Sequence, residues 1–287
     1  MRYRSKERES SGHNSLHIVM PGLDPGIHAF LSATTWMAGH GRAEATPSFG
    51  RLFPIMTEPA VTSAMMTGGL EVAGISFVAD LSGALFWDEQ RLLVVSDLHL
   101  EKGSSFAARG VLLPPYDTVA TLSRLSAVVA RHDPRMVIAL GDSFHDHQAH
   151  RRLSKNDREA LSALQARREW IWISGNHDPA LPSDLGGIVA TEVAIGPIHF
   201  RHEPTGAFGE IAGHLHPKAR VATRGRAMER RCFASDGERA VMPAFGAYAG
   251  GLSIRDAAFA KIFASLDFMA HVLGDIKMHT IAASRCY

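Results

Sequence analysis

The chain has little of what marks several protein classes. Its 287 residues include two cysteines, Cys232 and Cys286, too few for a disulfide framework and in no zinc-type spacing; the expected compartment is a reducing cytoplasm. No run approaches the roughly 18 uninterrupted apolar residues of a membrane-spanning helix, so no membrane partner is expected. There is no internal repeat and almost no net charge. Residues 1–55 hold six of the 30 Lys/Arg and four of the 29 Asp/Glu, which leaves 24 basic against 25 acidic residues and turns the formal +1 into −1 for the remainder. That balance excludes a globally basic nucleic-acid binder; any such affinity must come from a local patch or from bound metals. What is present is ordinary globular material, 46% hydrophobic and 21% charged, long enough to bury a sizeable core.

Residues 1–55 differ in texture from the rest. They are rich in Gly, Pro, Ser and His and sustain neither a strand nor a helix period. The apolar stretch 29–38 is broken by Ser32, Thr34 and Thr35 and has no good cleavage signal, against a secretory peptide. The segment from Val19 to Phe30 resembles a translated intergenic repeat. The expectation is an N-terminal extension, 1–55, that is disordered or follows from a start codon placed too early, with Met56, Met65 and Met66 as candidate true starts and 56–287 as the folded domain.

From residue 70 onward the pattern is regular. Residues 70–79 are strand-like, and 92–95, 136–140 and 170–173 are dense apolar runs of the kind buried on both faces of a sheet. Between them lie helical stretches at 117–131 and at 154–168, the latter opening on Ser154 as a cap. Strands alternating with helices imply an α/β sheet with right-handed crossovers. Beyond Asp178 short strands follow at 188–200, 211–212, 220–223 and 241–245. The expected fold is α/β: a two-sheet β-sandwich flanked by helices, with a site on one rim where the strands end.

Five motifs fall at those strand ends: Asp97-Leu98-His99, Gly141-Asp142, Gly175-Asn176-His177-Asp178, His202 and Gly213-His214-Leu215-His216. They supply three oxygen donors and four imidazoles, suited to two adjacent divalent metals such as Mn, Fe or Zn. Asp97 and His99 alternate with Leu98, so on an extended strand end both side chains would point one way; His214 and His216 repeat the pattern. Metals about 3.5–4 Å apart need a bridging group. Asp142, midway in the series behind a Gly that permits a sharp turn, is the natural bridge.

On these residues the chain resembles the calcineurin-like metallophosphoesterase superfamily across 70–252, a four-layer fold with a dimetal site on strand-end loops. The resemblance implies that Asp97, His99, Asp142 and His216 hold one metal, and Asp142, Asn176, His202 and His214 the other. It implies that His177 faces the substrate and assists the leaving oxygen, with Asp178 orienting or charge-balancing His177. Ser96 to Gly103, Leu113 to Thr118, Leu140 to Asp146 and Met242 to Gly246 further resemble the bacterial DNA-ligase-associated metallophosphoesterases. That subfamily implies a Mn²⁺-dependent phosphodiesterase and DNA endonuclease working in repair, with DNA as substrate and a DNA ligase, a helicase and an exonuclease as functional associates. Residues 253–287 lie beyond the resemblance, and the last dozen are expected to fray or to be frame-altered.

Around the motifs, His145, Lys102, Arg109 and Arg151 are candidate substrate contacts, against plainer roles in loops and on the surface. His147 and His150 read as solvent-facing. Arg220, Arg224, Arg226, Arg230 and Arg231 form the only dense basic run, either a DNA-backbone patch or a solvated strand face. The same metal core would also serve a small-molecule phosphoesterase acting on cyclic nucleotides or dinucleotides. A non-catalytic scaffold is disfavoured by the intact donor set.

Overall fold

The computed structural model describes Ile18–Met20, residues 67–223 and residues 226–287. The expectation for 1–55 therefore lies outside the described residues apart from Ile18–Met20, which is strand β1, and so do the candidate starts Met56, Met65 and Met66.

The first sheet has seven strands, side by side in chain order: β2 (Thr67–Val72), β3 (Ile75–Asp80), β4 (Leu85–Trp87), β5 (Leu92–Val95), β6 (Met136–Leu140), β7 (Glu169–Ile173) and β8 (Ile188–Ala190). β2 to β5 run antiparallel and β5 to β8 parallel. The apolar runs do divide between two faces. Leu92, Val94, Met136, Ile138, Leu140, Ile171 and Ile173 join one buried cluster; Leu93, Val95, Val137, Ala139, Trp170 and Trp172 join another. Side chains alternate across a strand, so a strand covered on both sides must be apolar at every position.

Helices α1 (Lys102–Ala107), α2 (Asp117–His132), α3 (Ala149–Arg152) and α4 (Lys155–Gln165) follow β5 and β6. α2 and α4 cover the second cluster with Leu122, Leu125, Val128, Val129, Leu161 and Leu164. Ser154 caps α4, its hydroxyl accepting from the Asp157 N–H at 3.1 Å, as a side chain at that position should.

The second sheet holds β9 (Glu192–Ile195), β10 (Ile198–Arg201), β11 (Glu210–Ala212), β12 (Lys218–Thr223), β13 (Arg226–Ser235), β14 (Ala240–Val241), β15 (Met269–Leu273) and β16 (Met278–Ala282). Its order is β1-β9-β10-β11-β14-β13-β15-β16, with β12 paired to β13 as a hairpin. Val193, Ile198, Phe200, Ile211 and Phe233 meet the first sheet in the shared core. On the outer face a third cluster gathers Cys232, Ala234, Ile254, Phe263, Phe268, Ala270 and Cys286 beneath the short helix α5 (Ala257–Ala260), which carries Phe259. Helices, sheet, sheet and outer layer make the expected sandwich.

Four expectations need correction. Residues 70–79 form a hairpin, because Ala73 and Gly74 take φ of 50° and 77° in a tight turn. The run 188–200 splits into three strands, of which β8 belongs to the first sheet. The 241–245 strand is only the two residues of β14, and the rest is loop. The end of the chain does not fray: β15 and β16 extend the second sheet, and Cys286 is buried. Among the described residues no helix is long and apolar enough to cross a membrane.

Asp80 ties the sheet to the helical layer. Its carboxylate is fully buried, accepts from the Ser82 N–H at 2.8 Å, and meets Arg131 and, at 3.1 Å, the His132 ring, both in the last turn of α2. Burial alone would raise its pKa, but the hydrogen bonds from His132, Ser82 and Arg131 prevail and lower it to about 2. A depressed folded-state pKa gives stability that is complete above the unfolded value of 3.8 and is lost as pH falls toward about 2. At about 1.4 kcal/mol per unit, Asp80→Ala is expected to cost roughly 2–3 kcal/mol at neutral pH. Urea unfolding of both proteins at pH 7 and pH 3 checks this: the gap should narrow at pH 3, and an equal gap refutes the pairing.

Candidate metal centre

Five loops at the carboxyl ends of strands converge on one rim. Asp97 and His99 follow β5, Asp142 follows β6, and Asn176, His177 and Asp178 follow β7; from the second sheet His202 follows β10, and His214 and His216 follow β11. The seven expected donors are brought together. Asp97, His99 and His216 place one donor atom each within 4.8 Å of one another, and so do Asp142, His202 and His214. In the first group His216 Nε2 lies 3.1 Å from Asp97 Oδ1 and 3.3 Å from His99 Nε2. In the second, His202 Nε2 lies 3.2 Å from His214 Nδ1, 3.4 Å from Asp142 Oδ1 and 2.9 Å from Asn176 Oδ1.

Asp142 addresses both groups. Its Oδ1 faces His202, while Oδ2 lies 4.0 Å from His99 Nε2 and 3.9 Å from His177 Nε2. Asp97 and Asp142 are buried, as are His99 and His202. Pairs of imidazole nitrogens at about 3.3 Å oppose lone pair to lone pair unless a proton or a cation lies between. Two carboxylates, an amide oxygen and four imidazoles are a donor set that Mn, Fe or Zn accepts, and the residues present fit a pair of such ions.

The backbone explains how the donors are aimed. Asp97, His99, Asp142, His214 and His216 have φ of 53°, 45°, 46°, 68° and 47°. The shared direction of Asp97 and His99, and of His214 and His216, therefore comes from alternate left-handed residues and not from an extended strand end. Left-handed non-glycine residues are uncommon and cluster where function holds them. Here hydrogen bonds between loops do the holding: His99 N–H to Asp142 O at 2.9 Å, Gly246 N–H to Asp97 O at 3.1 Å, and Gly213 N–H to His202 O at 3.0 Å.

Two glycines are dictated by the site. Gly141 takes φ 73° to turn the chain behind β6. At Gly175 a Cβ would stand 2.2 Å from the Asp142 nitrogen and 2.3 Å from its Oδ1, so only glycine lets the two loops touch.

Ring orientation is set by backbone carbonyls, a device the sequence does not display. The Nδ1–H of His202 faces Leu140 O at 2.9 Å, which leaves Nε2 free as a donor. His177 Nδ1 faces His145 O at 2.8 Å, which turns its Nε2 toward Asp142. Asp178 does not reach the His177 ring as expected. Its oxygens accept from the N–H groups of Gly175 and Phe144, both at 3.0 Å, and so join the third loop to the second. Burial, and then the Asp142 charge, push the Asp178 pKa up to about 7 despite those bonds.

Burial lowers the pKa of His99 to about 3 and that of His214 below the ordinary range, which favours the neutral form of these two rings. For Asp97 burial acts upward, but the neighbouring His216, His202 and His99 outweigh it and the pKa falls. Ser96, which no motif marks as a contributor, also serves the site; its hydroxyl bonds Asp97 Oδ2.

Of the candidate substrate contacts, His145 sits in the site, with a ring nitrogen within 4.8 Å of those of His99 and His177. Lys102 and Arg109 lie around Phe106, whose ring is 5.7 Å from that of His145. Arg151 is exposed and has no described contact with the site; its neighbour Arg152 is the engaged one, on Asp146 at 2.5 Å and Ser104 at 2.9 Å. In the basic run, Arg230 pairs with Asp275 at 2.9 Å, and Arg231 donates to Ala244 O at 2.7 Å.

Among solved structures the chain is similar to the nuclease MPE of Pseudomonas putida, with 28% identity and a TM-score of 0.57 over 74% of this chain and 100% of that one. A fainter likeness, 14% identity and a TM-score of 0.33 over 67% of this chain and 98% of the other, is to Yfce, a phosphoesterase from E. coli. No curated protein sequence matches. The family model described as calcineurin-like phosphoesterase matches residues 90–248. That span is more than half of the chain and runs from just before β5 into the loop after β14, so it contains every donor-bearing loop, and the protein belongs to the calcineurin-like phosphoesterases, hydrolases that use divalent metal ions.

Proposed function

We propose that the protein is a Mn²⁺-dependent phosphodiesterase that cleaves DNA, with 56–287 as its catalytic domain. The observation that carries this reading is Asp142, whose two oxygens face two separate donor groups. Asp97, His99, Asp142 and His216 would hold one ion; Asp142, Asn176, His202 and His214 the other. Bound there, the pair would supply Lewis-acid polarisation of the phosphate and activation of water as nucleophile. DNA as substrate is supported by the nuclease neighbour. The resemblance to the DNA-ligase-associated subfamily supports a cytoplasmic repair role beside a ligase, a helicase and an exonuclease.

The chain's own residues then have distinct tasks. The buried carboxylates compensate cationic charge, and the neutral imidazoles keep their lone pairs for ligation. His177 is held by the His145 carbonyl with Nε2 turned to the rim. From Nε2 a proton would pass to the departing alkoxide of the cleaved ester. Asp178 serves by fixing the loops that carry Asn176 and Asp142.

Two measurements test this assignment. Gly175→Ala should push Asp142 out of place and lower metal affinity and turnover by about 10–100-fold, the usual cost of disturbing a ligand's support. Metal content by elemental analysis, beside circular dichroism to confirm folding, reads the effect; undiminished metal content and rate would rule out Asp142 as the bridge. His177→Ala should keep both metals and lose about 10²–10⁴-fold on DNA, whose alkoxide needs a proton. It should lose little on bis-p-nitrophenyl phosphate, whose phenolate leaves unaided. Equal losses on the two substrates would refute the leaving-group role.

A further inference from the structure

A line of polar contacts runs from helix α2 to the carbonyl that orients His177. Thr118 on α2 donates to Glu101 Oε1 at 3.0 Å, and the Ser104 hydroxyl on α1 donates to Glu101 Oε2 at 2.6 Å. The same Ser104 oxygen accepts from Arg152 Nε at 2.9 Å, and Arg152 Nη2 donates to Asp146 Oδ2 at 2.5 Å. The other Asp146 oxygen accepts from the Gln148 N–H at 2.8 Å and so shapes the turn into α3, where Arg152 stands. Burial acts upward on the Asp146 pKa, but the bonds from Arg152, Ser105 and Gln148 outweigh it and hold the carboxyl below its ordinary range. Asp146 follows His145 in the chain, and the His145 carbonyl is the acceptor of His177 Nδ1 at 2.8 Å. Among the described residues Arg152 makes no hydrogen bond or ion pair to a metal donor or to His177 itself.

We infer that Arg152 is a positioning residue for His177, acting through Asp146 and the His145 carbonyl. This role rests on the reading of His177 as proton donor to the leaving alkoxide. Such a donor must keep its nitrogen within hydrogen-bond reach of the departing oxygen, and a displacement of about 1 Å is costly. The His177 side chain is 39% exposed, so packing alone does not fix its ring, and the bond at Nδ1 sets where Nε2 points. That bond is only as well placed as the peptide joining His145 to Asp146. On one side of the peptide the His145 N–H is tied to Leu100 O at 3.0 Å. On the other, the Asp146 side chain is tied to Arg152. The planar guanidinium grips Asp146 and Ser104 with different nitrogens, which anchors the loop after β6 to α1; an ammonium group cannot present that fork.

The test compares Arg152→Gln with wild type in Mn²⁺, on DNA and on bis-p-nitrophenyl phosphate, and repeats the comparison in a His177→Ala background. On DNA kcat should fall about 10–100-fold with KM within about twofold, the cost of misplacing a catalytic group. On bis-p-nitrophenyl phosphate, which needs no proton donor, the rate should stay within about twofold. Metal content by elemental analysis should be undiminished. Arg152→Lys should recover part of the kcat, because it keeps the charge on Asp146 and gives up the bond to Ser104; it carries the test alone if circular dichroism shows Arg152→Gln misfolded. In the His177→Ala background Arg152→Gln should cost no more than about twofold further on DNA, because two changes acting through one group are not additive. Equal losses on the two substrates, a rise in KM with kcat unchanged, or the full loss recurring in His177→Ala would overturn the role of Arg152 and leave the reading of the centre intact. A His177→Ala enzyme that loses equally on both substrates would overturn the proton-donor reading and the role of Arg152 together.

Discussion

Groups that present lone pairs or negative charge to one point repel each other, and the rim of this protein is built to hold seven of them there. Burial sharpens the problem, because a charge removed from water must find compensation nearby. Asp97 and Asp142 are both out of solvent, and each is surrounded by imidazoles and backbone N–H groups that take up its oxygens: His214 N–H on Asp97 at 3.1 Å, His177 N–H on Asp142 at 2.9 Å. Rigid strand ends supply the anchoring. β5, β6 and β7 are buried on both faces, so the loops they launch start from fixed positions, and the left-handed residues that follow are pinned by bonds from loop to loop. The strain sits where it is tolerated best, on Asp, His and Gly.

A second support comes from arginines that make no ion pair among the described residues. Arg124 on α2 donates to Phe245 O and Arg231 on β13 to Ala244 O, both at 2.7 Å. Burial, and then the Arg124 charge, bring the Arg231 pKa down to about 10. The loop they grip donates Phe245 N–H to Ser96 O at 2.7 Å and Gly246 N–H to Asp97 O. One helix of the layer over the first sheet and one strand of the second sheet thus meet on a loop whose other side fixes the first donor.

Much of this was legible in the sequence where one physical demand acts alone. Strands covered on both faces must be apolar throughout, so 92–95, 136–140 and 170–173 could be read directly. Asp, Asn and His at five strand ends could be picked out as candidate donors, and the fold brings those seven residues to one rim. What escaped was whatever depends on partners distant in the chain. β13 is half exposed and rich in arginine, and it looks like a solvated run until its pairing with β12, β14 and β15 is seen. The end of the chain earns its place through Phe259, Phe263 and Phe268, whose rings stack with centroids 4.3 to 6.5 Å apart, a packing no motif announces. Asp178 stood beside His177 in sequence, yet its carboxylate points to Phe144 and Gly175, because adjacent residues need not share a direction.

The division of donors between the sheets also orders events in time. Asp97, His99, Asp142 and Asn176 belong to loops of the first sheet, and His202, His214 and His216 to loops of the second. A chain emerging from the ribosome completes the former set long before the latter. The loops of the first sheet carry the oxygen donors and one imidazole, and the second sheet adds three more imidazoles. Docking of the two sheets onto each other is thereby what completes the donor set.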